Sequence, residues 1–173
     1  MNELLEILKY VLPLLVVFAM VYYMIKLFLD NEQRKRTTDI KMTGYKIITP
    51  IRLQAYERLV LFLERISPES LIMRVHKPEL SALQLQTLLI LNIREEFEHN
   101  LSQQVYISSQ AWEIVRNAKE EIIKLINTAA SKLNDNANAI ELSQKIFELS
   151  LLSDKPLYKS ALEFLKNEIR QVF

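Results

Sequence analysis

The chain opens on a long apolar run and then changes to helical periodicity. Tyr10 to Ile25, YVLPLLVVFAMVYYMI, carries no charge, and Lys26 is followed by Leu27, Phe28 and Leu29. Twenty residues from Tyr10 to Leu29, at about 1.5 Å each, reach roughly 30 Å, the hydrocarbon thickness of a bilayer. Lys26 lies near the end, where its ammonium snorkels to headgroups. Tyr10, Tyr22 and Tyr23 fall where aromatic belts form. Pro13 reads as lying in the first turns, where a missing N–H costs least. A buried core helix is usually shorter and less apolar all round. A cleaved signal peptide has a basic start and a small-residue cleavage site, whereas Glu3 and Glu6 precede this run and KLFLDNEQ follows it. An interfacial helix needs a polar face. The expectation is a transmembrane anchor over residues 1–29.

Residues 30–50, DNEQRKRTTDIKMTGYKIITP, are polar and hold Gly44 and Pro50. They read as a basic juxtamembrane linker, with Tyr45 to Ile48 open to a short strand. Beyond Pro50 the period is close to 3.6. A helix over about Ile51–Ile66 puts Tyr56, Leu59, Val60, Leu63 and Ile66 on one face. Ser67-Pro68 caps a short second helix to about Arg74, and His76-Lys77-Pro78 breaks it. A third, from Pro78-Glu79 to about Ser102, is apolar all round at Leu88–Leu91 and reads as the central helix. Val105-Tyr106-Ile107 reads as a brief extended stretch. A fourth helix, about Gln110–Leu133, is capped by Ser108 or Ser109. Its stripe is Val115, Ala118, Ile122 and Leu125, with Lys119, Glu120 and Glu121 facing away. Asn134-Asp135-Asn136 turns the chain into a fifth, about Ala137–Leu152. Ser153 to Pro156 punctuates before a sixth, about Pro156–Val172, with Leu157, Ala161, Leu165 and Ile169. The fold class is all-α: one N-terminal membrane helix, then a cytoplasmic bundle of five or six helices over residues 51–173, long enough to bury its own core.

Composition narrows the chemistry. The 173 residues include one glycine, no cysteine and two histidines, His76 and His99. A phosphate-cradling loop needs several glycines. Disulfides, thiolate metal sites and cysteine nucleophiles need cysteine. Net charge is +1, but it divides into +3 over residues 1–52 and −2 over residues 53–173. A folded nucleic-acid binder usually carries the opposite balance. The basic residues after the span, Lys26, Arg34, Lys35, Arg36, Lys41 and Lys46, outnumber Lys9 before it. The positive-inside rule therefore places the N-terminus outside and the domain in the cytoplasm of a cell inner membrane. Arg34-Lys35-Arg36 acts first as a topology determinant and can also touch anionic headgroups.

One constellation suggests chemistry. Asn92, Glu96, His99 and Gln103 are spaced four, three and four, one polar stripe on a continuous helix. Glu96 and His99 form a Glu-x-x-His pair, the arrangement that presents carboxylate and imidazole to one metal in di-iron bundles. A second such pair is missing, so Glu57 or Glu64 would have to complete the site. The alternatives are a polar network, at an interface or buried, and a solvated edge. A Ser-His-Asp triad lacks a glycine-flanked serine elbow. Trp112, with Val115, reads as core or interface rather than cofactor stack. Leu61, on a charged face, and Phe173 read as exposed apolar contacts. No cofactor or small-molecule substrate is implied.

The segments YERLVLFLERISPESLI (56–72), EFEHNLSQQVYIS (96–108) and AWEIVRNAKEEI (111–122), with the N-terminal span, resemble an uncharacterised family of small membrane-anchored proteins from Bacteroidota. The resemblance runs from the span to about residue 128. It implies a single-span protein of the cytoplasmic membrane without an assigned activity or catalytic residues. The expected function is non-enzymatic: a membrane protein whose helical domain is an interaction or scaffold module, docking on other membrane-complex subunits or on itself. The rivals are a metal-binding bundle using Glu96 and His99, and a membrane tether for a nucleic-acid or ribosome partner, which the acidic balance opposes.

Overall fold

Helices begin where a short polar side chain takes up the first free backbone donors. Ser81 Oγ accepts from Gln84 N at 3.2 Å while Gln84 Oε1 accepts from Ser81 N at 3.0 Å, a complete capping box. Ser108 Oγ accepts from Ala111 N, and Asn138 Oδ1 from Glu141 N, each at 3.0 Å. Ser67 precedes Pro68 at the first helical position as expected, but its hydroxyl donates back to the Glu64 carbonyl at 2.8 Å. A computed structural model describes residues 2–134, 136–152 and 156–172. Its helices are α1 (Asn2–Ile66), α2 (Pro68–Val75), α3 (Ala82–His99), α4 (Ser109–Ala130), α5 (Ala139–Leu151) and α6 (Leu157–Val172), with a 3₁₀ turn at Leu101–Val105. The fold is all-α, with no strand among the described residues; a single bridge joins Ser81 to Asn138.

The chain forms two compact units, Met1–Thr49 and Pro50–Phe173. In the first, Val11–Arg36 is long and apolar enough to cross a membrane, with mean hydropathy 2.2 and its apolar side chains exposed. Two expectations change here. Residues 30–50 are helical, with no strand at Tyr45 to Ile48. Gly44 and Pro50 are the breakers in that stretch, and an i,i+4 ion pair favours helix before them, Arg36 with Glu32 at 3.5 Å. Pro13 is not in the first turns, because the helix already starts at Asn2. Its ring therefore removes the bond to the Lys9 carbonyl, a loss that membrane helices tolerate. The side chain of Tyr10, and the residues Asp135, Ser153 to Lys155 and Phe173, lie outside what is described.

In the second unit the core gathers one stripe from each helix. Leu59, Phe62, Leu63 and Ile66 of α1 meet Leu85, Leu89 and Ile93 of α3, Val115, Ala118, Ile122 and Ile126 of α4, Leu142 and Ile146 of α5, and Ala161 and Leu165 of α6. The centre is α4, which touches α3, α5 and α6. α3 is buried on one side only: Leu89 is sealed while Leu91 is 47% exposed. The stretch expected as extended at residues 105–107 is instead the end of the 3₁₀ turn, with Tyr106 near the helical region. That turn closes because α3 stops at His99, where Asn100 Nδ2 donates to the Glu96 carbonyl at 2.7 Å.

Burial separates two leucines on α3. Leu89→Ala deletes a fully buried side chain and lowers unfolding free energy by about 2–5 kcal/mol. Leu83→Ala, at a position 71% exposed, changes it by less than about 0.5 kcal/mol. Denaturant titration followed by Trp112 fluorescence measures both.

Candidate functional site

The expected stripe of Asn92, Glu96, His99 and Gln103 is divided by the end of α3. The first three lie on the helix, with His99 its exposed last residue. Gln103 falls in the 3₁₀ turn, buried, with its amide donating to Ser102 Oγ at 3.2 Å. Asn92 Nδ2 donates to the Leu88 carbonyl at 2.9 Å. Glu96 belongs to a different constellation. Its Oε1 takes Arg65 of α1, with Nη2 at 2.5 Å and Nε at 2.8 Å, and Arg74 of α2 at 3.7 Å. One carboxylate thus ties three helices, with its side chain 21% exposed. Glu57 and Glu64 are exposed, and no group of three His, Asp or Glu converges among the described residues.

Trp112 stacks on Phe97 at 5.2 Å between ring centroids, and Phe97 meets Phe62 at 5.7 Å. Trp112 is therefore packed against the core. Lys119 does not face away as expected. Its ammonium lies 4.2 Å from the centre of the Phe97 ring, a cation–π contact, and also pairs with Glu120 at 2.8 Å. Glu121 also turns inward to accept from Leu157 N at 2.7 Å, capping α6. Leu61 is exposed, as are Arg34, Lys35 and Arg36.

Two features were not singled out from the sequence. Arg52 Nε donates to the Tyr106 carbonyl at 3.1 Å. Beside it Tyr56 Oη and Glu168 Oε2 are sealed from solvent, neither with a well-formed hydrogen bond. Burial pushes the Tyr56 phenol up from its ordinary value, and the nearby Glu168 carboxylate adds to this, while Arg52 pulls it partly back. Burial also raises Tyr158, with help from Glu69, Glu64 and Glu121. The second feature is a cavity of about 230 Å³ between α2 and α5, lined in part by His76 and Ser143. A buried serine in the apolar stripe of α5 was the available signal for it; the 112 residues separating Tyr56 from Glu168 left none for the other.

Glu96→Ala removes the shared acceptor of two arginines and lowers stability by about 1 kcal/mol at low salt, an effect that shrinks in 1 M NaCl. Equilibrium unfolding at the two salt concentrations tests it. The tyrosines set an alkaline limit. Both phenols hold their proton more tightly folded than unfolded, so their contribution is complete below pH about 10 and is lost as pH rises above it. The Tyr56→Phe/Tyr158→Phe variant shows a shallower loss of stability from pH 9 to 11 than the wild type, measured by urea midpoints.

No curated protein and no solved structure matches the chain. A family model does, over residues 2–172, a range that takes in both compact units. On that match the chain belongs to the family of unknown function DUF7935.

Proposed function

We propose that this is a non-enzymatic, single-span protein of a bacterial cytoplasmic membrane, and that its helical domain is an interaction or scaffold module within a larger membrane complex. The observation that carries the reading is the uncovered apolar stretch Val11–Arg36. In water that much exposed hydrocarbon would drive association, at roughly 25 cal/mol per Å²; in a bilayer it is solvated. Arg34, Lys35 and Arg36 at its C-terminal end favour a cytoplasmic domain and an external N-terminus. The domain buries one apolar stripe from each helix in its own core, while Leu61, Leu83, Val105 and Leu151 stay exposed and available to a partner. Tethering in two dimensions raises effective concentration, so a modest interface suffices for assembly.

Because the chain has no cysteine, single cysteines report topology directly. An impermeant maleimide applied to intact cells labels Asn2→Cys, and reaches Ser131→Cys only after lysis. Labelling of Ser131→Cys from outside reverses the orientation; protection of both sites until lysis removes the span. Native mass spectrometry of the full chain, extracted in mild detergent, finds it with other membrane subunits or with itself. A lone protomer carrying iron, manganese or zinc overturns the scaffold reading.

A further inference from the structure

Ser143 stands in the core-facing stripe of α5, beside Leu142 and one turn before Ile146. A larger apolar side chain there would close the space against α2. Ser143 is 8% exposed, and it lies at the floor of an open cleft of about 230 Å³. Ile72, Met73, Ile140 and Phe147 supply its apolar walls, and Ser143, His76 and Gln144 its polar atoms. An apolar cavity of about 150 Å³ accepts benzene, so this one suits roughly ten heavy atoms.

The polar pair defines what such a molecule must carry. Ser143 Oγ donates to the Ala139 carbonyl at 2.8 Å, which leaves its oxygen as an acceptor. His76 Nδ1 lies 3.5 Å from that oxygen, at the limit of a hydrogen bond, and accepts or donates according to tautomer. A ligand hydroxyl, both donor and acceptor, satisfies either arrangement. Charge is disfavoured. No Lys, Arg, Asp or Glu lines the cleft, so an anion gains no countercharge there for the part of its water that it sheds. His76 also caps the C-terminal end of α2, whose free carbonyls repel anions. At the mouth Met73 is 84% exposed and Ile140 49% exposed, apolar groups held in water where the flexible Met73 can fold over an occupant.

We propose that the α2–α5 cavity binds a neutral, mostly apolar molecule of about ten heavy atoms bearing one hydroxyl, held by His76 and Ser143. The site is independent of the scaffold reading. The test is calorimetric titration of the full chain in lipid nanodiscs with 4-phenyl-1-butanol, with empty nanodiscs subtracted. Wild type binds saturably, and 4-phenylbutyrate binds at least about tenfold more weakly, the discrimination expected of an uncharged polar pocket. Ser143→Leu fills the cavity and weakens the alcohol by a similar factor. Ile140→Trp blocks the mouth from an exposed position and does the same, with far-UV circular dichroism confirming that each variant is folded. The proposal is overturned by equal binding to empty nanodiscs, by unchanged affinity in both variants, or by a carboxylate bound as tightly as the alcohol. A wild-type dimer that ignores the alcohol and dissociates on Ile140→Glu also overturns it, assigning this face to a second copy.

Discussion

Alanine at three sealed positions of α4 determines how near the other helices come. Ala111, Ala118 and Ala129 are each 0% exposed, and interaxial distance depends on the side chains at the contact. With methyl groups at those points, α3, α5 and α6 all pack on one helix. Ile122 and Ile126 fill the wider gaps between. The small residues Ala139 of α5 and Ala161 of α6 continue the same economy of volume on the partner helices. The branched and aromatic residues of α1 and α3 then close the core around this axis. Interiors packed this densely transmit any change of volume to their neighbours.

Polar groups sit at the margins of that core and orient what it holds together. Glu96 is the clearest case, since it answers two arginines from two other helices. Metal coordination would require that carboxylate to leave Arg65 and expose two positive charges to one another. Its geometry therefore reads as a clamp across α1, α2 and α3. Lys119 over Phe97 is similar in kind: a long side chain covers an aromatic face while its charge reaches Glu120. Tyr56 and Glu168 are the opposite situation, two polar atoms enclosed by packing and incompletely satisfied, a cost that better-placed interactions elsewhere offset.

The helix α1 presents two kinds of surface. Over Val11–Arg36 its apolar side chains point outward all round. From Ala55 to Ile66 it keeps one apolar stripe, and that stripe is buried. A helix that is apolar on all sides needs an apolar solvent or a protein interior, whereas a striped one needs only a partner. The composition of each part states which of these it requires.

That distinction is what the sequence by itself determined: the helical class, the apolar span, and several helix starts, including those at Pro68 and after Ser108. These depend on residues within a turn or two of each other, so they are written in local pattern. The helical course of residues 30–50 was obscured because Gly44 and Pro50 oppose a helix while their neighbours favour one, and local signals of opposite sign do not say which prevails. The stripe from Asn92 to Gln103 assumed a helix that continues, and Asn100 ends it. Which side chain answers Glu96, why Lys119 turns inward, and where Ser143 leaves a cavity were decided by tertiary structure alone. Each joins residues from different helices, and only the packing of those helices brings the groups within the few ångströms over which hydrogen bonds and ion pairs act.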